Sequence, residues 1–257
     1  MHRFLVVTGL ASALAFGCGG GGEEAPAPAK APSPKSAAAS KPASPDGAGV
    51  SGTVTFTGSV PEAQSIQMGA DPTCARMHPD APKMELVVVG DNGGLKNVFV
   101  YVKEGLEGQT FDIPEEAAVL DQKGCLYAPH VFGVRAGQAL TIVNNDDTLH
   151  NIHAMPKNNR EFNIGQPIKG LKTQKVFDNP EVMIPFKCDV HKWMASYVGV
   201  LDHPFFAVTD IDGRFSIEGL PAGDYVVEAW HEKYGTKQAN LSVVADRAAA
   251  LDFEFSE

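Results

Sequence analysis

The chain is predicted to be all-β, with its strands packed as two β-sandwiches of unequal size, and three observations carry that prediction. Short runs alternate in polarity, as Val50, Gly52, Val54 and Phe56 do against Ser51, Thr53 and Thr55, which is the period of a strand buried on one face. Turn formers separate the runs, among them Asp91-Asn92-Gly93-Gly94 and Asp210-Ile211-Asp212-Gly213, residues that accept the backbone angles of tight turns. Finally, 26 Gly and 18 Pro in 257 residues leave few runs long enough for a helical period.

The first 49 residues are expected to lie outside any fold. Residues 1–17 read as a signal peptide, with His2 and Arg3 ahead of an apolar run to Phe16. Ala15-Phe16-Gly17-Cys18 resembles a bacterial lipobox, which implies lipidation of Cys18 and a mature protein anchored to a membrane in the periplasm or at the outer cell surface. Residues 18–49, rich in Gly, Ala, Pro and Ser without apolar periodicity, are expected to be the anchor and a disordered tether.

Residues 50–114 form an N-terminal β segment with the strand Val50–Phe56. A hairpin of Leu86–Val89 and Asn97–Val102 is expected around Asp91–Gly94. From 115 to 203 the strands are Ala118–Leu120, His130–Val134, Ala139–Val143, Lys175–Phe177, Val182–Cys188 and Tyr197–Leu201. Residues 154–173 are polar and read as a surface loop. In Val182–Cys188 the alternation puts Val182, Ile184, Phe186 and Cys188 on one face and Pro185 on the other.

The chemistry concentrates after that strand. Cys188, His191 and Met194 follow one another at intervals of three, and a further imidazole lies upstream in Leu149-His150-Asn151-Ile152-His153. Two imidazoles and a thiolate with a weak thioether form the donor set that holds copper for one-electron transfer. Zinc seldom uses methionine. The C-x-x-H-x-x-M spacing, the His150-Asn151-Ile152-His153 segment and the Asn144-x-Asp146-x-x-x-His150 approach together resemble the cupredoxins, and within them the amicyanin and plastocyanin type. The resemblance covers residues 115–201. It implies a Greek-key sandwich, one type 1 copper, and His150, Cys188, His191 and Met194 as its ligands. It also implies that Asn151 braces the ligand loop and that His153 stands aside; Asp189 occupies a position where the family often has Ser or Thr.

In residues 204–257, Phe205–Thr209 and Arg214–Ile217 flank Asp210–Gly213 as an expected hairpin, and Tyr225–Ala229 follows. This segment resembles the carboxypeptidase regulatory-like, transthyretin-like sandwich, whose opening strand would be the distant Gly52–Phe56. Two arrangements stay open: the copper domain is inserted into a second sandwich made from both chain ends, or the N-terminal hairpin belongs to the copper domain. Trp230-His231-Glu232 reads as packing and rim.

Cys74 and Cys125 are expected to form a disulfide, as a pair in an exported chain usually does. The alternative is a second metal site with His78 and His130. Net charge is −10, with the acidic excess in the flanking segments and bases such as Lys187 and Lys192 near the ligand loop. No motif points to nucleic acid, and no Ser-His-Asp set or carboxylate pair points to hydrolysis. The function expected is a single-electron carrier, not an enzyme, working with an unidentified redox partner protein. A copper store or donor and a partner-binding surface lipoprotein are the alternatives. The partner is expected to dock where the His191 edge reaches solvent among Trp193, Met155 and Pro156.

Overall fold

The computed structural model describes residues 49–257 except Asp246. The expected signal peptide, Cys18 and tether lie outside the described residues.

Among the described residues, seventeen strands and one short helix follow in chain order. They are β1 (Val50–Thr57), α1 (Pro72–Met77), β2 (Phe99–Glu104), β3 (Ala118–Gln122), β4 (Tyr127–Ala128), β5 (Val131–Arg135), β6 (Ala139–Asn144), β7 (His150–Ala154) and β8 (Phe162–Gln166). Then come β9 (Lys172–Val176), β10 (Glu181–Lys187), β11 (Ala195–Leu201), β12 (Phe206–Val208), β13 (Arg214–Ile217), β14 (Gly223–His231), β15 (Gly235–Val243), β16 (Ala249–Ala250) and β17 (Phe253–Ser256). The protein is all-β.

One sandwich is built from β3 to β11. Its sheets run β5-β11-β10-β7-β8 and β4-β3-β6-β9, with β5–β11 and β3–β6 parallel and the other pairs antiparallel. Both sheets turn apolar side chains inward, Leu120, Leu140 and Ile142 from one and Phe132, Ile152, Ile184, Phe186 and Val198 from the other. The second sandwich takes strands from both sides of the first. β1 pairs with β13, β16 and β17, and β2 lies between β12 and β14 in the facing sheet. The first sandwich is therefore threaded between β2 and β12 of the second.

A separate apolar cluster joins the two, with Phe99, Tyr101, Phe206 and Trp230 on one side and Val131, Met183, Tyr197 and Leu201 on the other. Two glycines make this approach possible. Gly133 and Gly199 are register partners on β5 and β11; a Cβ at Gly133 would lie 2.3 Å from the Phe206 ring, and one at Gly199 2.5 Å from the Phe99 ring. Arg135, buried, fastens both crossing points of the chain by donating to the carbonyls of Phe111, Asp112 and Asp202.

Several expectations are corrected. Leu86–Val89 is not a regular strand, although the chain does turn back at Asp91–Gly94: Val89 bridges Leu95, Lys96 N–H donates to the Val88 carbonyl and Gly90 N–H to the Gly94 carbonyl, both at 2.9 Å. Asp210–Gly213 is not a hairpin turn but a corner between sheets, since β12 pairs with β2 and β13 with β1. Residues 154–173 contain β8, an edge strand whose Phe162 and Ile164 pack on the core. Val182 points outward, because a register shift between Glu181 and Ile184, with Met183 at φ 61°, breaks the alternation.

His203 and His231 are buried in and beside the second sandwich, and burial pushes each down to about 4 from an ordinary 6.5. The unfolded chain therefore binds more protons than the folded one between those values, so stability falls as pH drops from about 6.5 towards 4, on the order of 3 kcal/mol per buried ring. His203 Nδ1 accepts from the Phe205 N–H at 3.2 Å, a role an asparagine oxygen reproduces. His203→Asn is predicted to flatten the fall in chemical-denaturation midpoint between pH 6.5 and 4 while leaving the midpoint at pH 7.5 little changed; an unaltered slope contradicts it.

Candidate metal centre

The candidate ligands come from the ends of β7 and β10 and from the loop joining β10 to β11. His150 opens β7 with its ring on the core face; it is fully buried. Cys188 ends the inward series of Ile184 and Phe186. The next residues turn tightly: Met194 N–H donates to the His191 carbonyl (2.9 Å), and Cys188 N–H to the Met194 carbonyl (3.2 Å). This three-residue spacing folds His191 back, so its own N–H donates to Cys188 Sγ at 3.3 Å.

The ligating atoms of His150, Cys188 and His191 lie within 4.8 Å of one another. The two Nδ1 atoms are 3.0 Å apart, and His191 Nδ1 is 3.9 Å from Cys188 Sγ. Met194 is buried against the same core as Cys188.

Each ring's outer nitrogen is held by a carboxylate. His150 Nε2 donates to Asp146 Oδ2 at 2.9 Å, and His191 Nε2 donates to Asp71 Oδ2 at 3.1 Å. A carboxylate only accepts, so both Nε2 atoms carry hydrogens and both Nδ1 atoms face inward. Two Nδ1 atoms facing each other beside a sulfur call for something positive between them, a shared proton in the metal-free cluster or a bound cation. In the metal-free cluster, burial opposes charge on His150, but the hydrogen bonds to Asp146 and Cys188 outweigh it and raise its pKa to about 8. Burial likewise opposes the Cys188 thiolate, but His150 and the surrounding N–H groups hold its pKa below the ordinary value. Two imidazoles and a thiolate converging in a buried cluster, with Met194 buried on the same loop, fit copper by ligand chemistry.

The supporting contacts are specific. Asn151 Oδ1 accepts from the N–H groups of Asp189 (2.6 Å) and Val190 (3.3 Å) and lies 3.2 Å from Cys188 Sγ. Asp189, in place of Ser or Thr, accepts from Asn163 Nδ2 (2.7 Å) and pairs with Lys187 and His153. His153 faces outward between Asp189 and Glu161, away from the pocket. Asp146 also accepts from the N–H groups of Gly124 (2.8 Å) and Cys125 (2.7 Å), tying the β3–β4 turn to the site.

The expectation of a solvent-exposed His191 edge is corrected. His191 is 2% exposed, because the segment between β1 and β2 folds over it. Asp71 caps α1 by accepting from the N–H groups of Thr73 and Cys74, and α1 carries Cys74, which is bonded to Cys125 of the β3–β4 turn. Cys74 Sγ lies 3.7 Å from His191 Nε2. Ile66, Met68 and Trp193 pack around this disulfide, and Trp193 Nε1 donates to the Cys125 carbonyl at 2.9 Å. Trp193 thus lies half-buried beneath the cover, 5.0 Å from the His191 ring centre. Met155 and Pro156 follow the far end of β7 from His150; Met155 lines a surface cavity with Met183 and Pro185. Nor do His78 and His130 join a second metal site with the cysteines: His78 contacts the Gly124 carbonyl, and His130 contacts Glu232 and the Ala195 carbonyl.

Sequence reasoning missed Asp71 as a site residue. The signal was present in Asp71-Pro72-Thr73-Cys74, an N-cap followed by proline at the first helical position, but nothing local links it to a histidine 120 residues away. Nor did it assign a contact to Glu232, which meets His130 Nε2 at 2.5 Å between the two sandwiches.

No protein-family model matches the chain, and no curated protein matches it. Among solved structures the chain is similar to a novel purple cupredoxin from Nitrosopumilus maritimus, at 22% identity over 32% of this chain and 98% of that one, with a TM-score of 0.28. It is similar to a point mutant of amicyanin in its Cu(I) form, at 19% identity over 39% of this chain and 97% of that one, TM-score 0.30. A copper-containing nitrite reductase from Thermus scotoductus aligns at 16% identity and TM-score 0.32 over 39% of this chain; the match spans only 25% of the reductase.

Asn151→Ala strips two loop N–H groups of their acceptor, one of them at 2.6 Å. A loss of about 1–3 kcal/mol is predicted for the metal-free protein, measured by urea unfolding. A loss below about 0.5 kcal/mol would show that the loop holds its shape without Asn151.

Proposed function

We propose that the protein is a type 1 copper protein of cupredoxin kind that carries single electrons and transforms no substrate. One observation carries the reading: the inward-facing Nδ1 atoms of His150 and His191 meet the Cys188 sulfur inside a closed pocket, all within 4.8 Å. Copper, when bound, supplies the one-electron couple. The chain's own residues do the rest. His150, Cys188 and His191 would hold the ion, with Met194 as the weak fourth donor, and the donors around Cys188 favour its thiolate against the burial that opposes it. Asn151 holds the loop, and the two carboxylates hold the rings, so the donors have little freedom to rearrange when the charge changes.

The same features favour a carrier over a copper donor. A donor must open its site, whereas here the ligand loop is braced on one side and covered by a disulfide-bonded segment on the other. The proposal extends to the setting. Export through residues 1–17, lipidation of Cys18 and a tether to residue 49 would place the folded part outside the cytoplasm beside a membrane, where a redox partner protein meets it.

Copper(II)-loaded protein is expected to show an intense thiolate-to-copper band in the red part of the visible spectrum, and Cys188→Ser is expected to abolish it. A colourless protein that takes up zinc in preference to copper contradicts the proposal.

A further inference from the structure

Among the described residues, the pocket's least expected member is Asp71. It belongs to neither sheet. It reaches His191 from the segment between β1 and β2, which crosses from the second sandwich to cover the ligand loop, and four bonds fix it there. Oδ1 caps α1 at 2.7 Å from Thr73 N and 3.2 Å from Cys74 N, Thr148 Oγ1 donates to Oδ2 at 3.1 Å, and Cys74 is bonded to Cys125. The two oxygens are thus divided, Oδ1 to the helix and Oδ2 to the His191 ring.

We propose that Asp71 is a positioning residue for His191. It fixes the ring with Nε2 protonated and Nδ1 bare and inward, lowers the reduction potential of the centre, and depends on the Cys74–Cys125 bond to stay in place. The first part concerns the protein alone; the second rests on the copper reading above. An anionic carboxylate on a ligand imidazole makes the ring a stronger donor and favours the more highly charged metal state, so its removal favours the reduced state. The disulfide itself acts as a clamp rather than a relay, since it reduces by two electrons and structural disulfides are hard to reduce.

Asp71→Asn isolates the effect. The asparagine oxygen still caps α1, which turns its NH₂ towards His191 Nε2. A donor in that place calls for the opposite tautomer, with the hydrogen on Nδ1. In metal-free protein, nitrogen NMR of the His191 ring is expected to report Nε2–H in the native chain and a shift towards Nδ1–H in Asp71→Asn. In copper-loaded protein, equilibration with a one-electron reference couple is expected to move roughly 10- to 100-fold towards the reduced form, which is about 60–120 mV at 59 mV per tenfold. Asp71→Glu should restore most of both readouts, and Cys74→Ser with Cys125→Ser should fall between native and Asp71→Asn. An unchanged tautomer together with an equilibrium within threefold of native overturns the proposal. Absence of the thiolate-to-copper band in native protein fails the copper reading alone. In that case the metal-free tautomer decides: dependence on Asp71 upholds the positioning role, and independence overturns it.

Discussion

Two imidazoles buried at 0% and 2% exposure impose the constraint on which the pocket depends. A buried ring nitrogen without a partner costs stability, and a ring free to turn cannot aim a lone pair. Asp146 and Asp71 meet both demands at the outer nitrogens and turn the inner ones towards each other and Cys188. Each carboxylate is itself held: Asp146 by the N–H groups of Gly124 and Cys125, Asp71 by α1 and Thr148. The disulfide joins those two supports, since Cys125 lies in the turn that holds Asp146 and Cys74 in the helix that Asp71 caps. One covalent bond thus couples the anchors of both rings.

This arrangement gives a physical reason for the threading of one sandwich through another. The cover over His191 departs from β1 and returns to β2, both strands of the outer sandwich, so its position depends on how the two sandwiches meet. That contact is fixed by Phe99 and Phe206 seated on the backbone of Gly199 and Gly133, by Arg135 at the crossing points and by His130 with Glu232. Burial of the His191 edge therefore depends on the second sandwich, from whose strands the cover departs and to which it returns.

How much of this was legible in the sequence depended on range. The ligand loop was readable because its spacing is local: intervals of three within a tight turn determine which side chains converge. Asn151 was legible only through the family resemblance, and it accepts from two N–H groups of the loop. Strands with clear alternation are legible to within a few residues, whereas β8, an edge strand with polar residues between Phe162 and Ile164, reads as loop although those two alternate. The bulge at Met183 defeated the alternation rule at Val182, as an extra residue in a strand must. Asp71 and the cover were not readable, because the contact closes over 120 residues and the aspartate's only local signature is that of a helix cap.

If these residues hold copper as proposed, the site should not rearrange when it gains or loses an electron. X-ray absorption at the copper edge, recorded on one preparation in both oxidation states, reads this out. One short sulfur and two nitrogen neighbours are expected in each state, with no ligand gained or lost. Loss of a nitrogen on reduction, or an oxygen- and nitrogen-only shell in the oxidised protein, would contradict it.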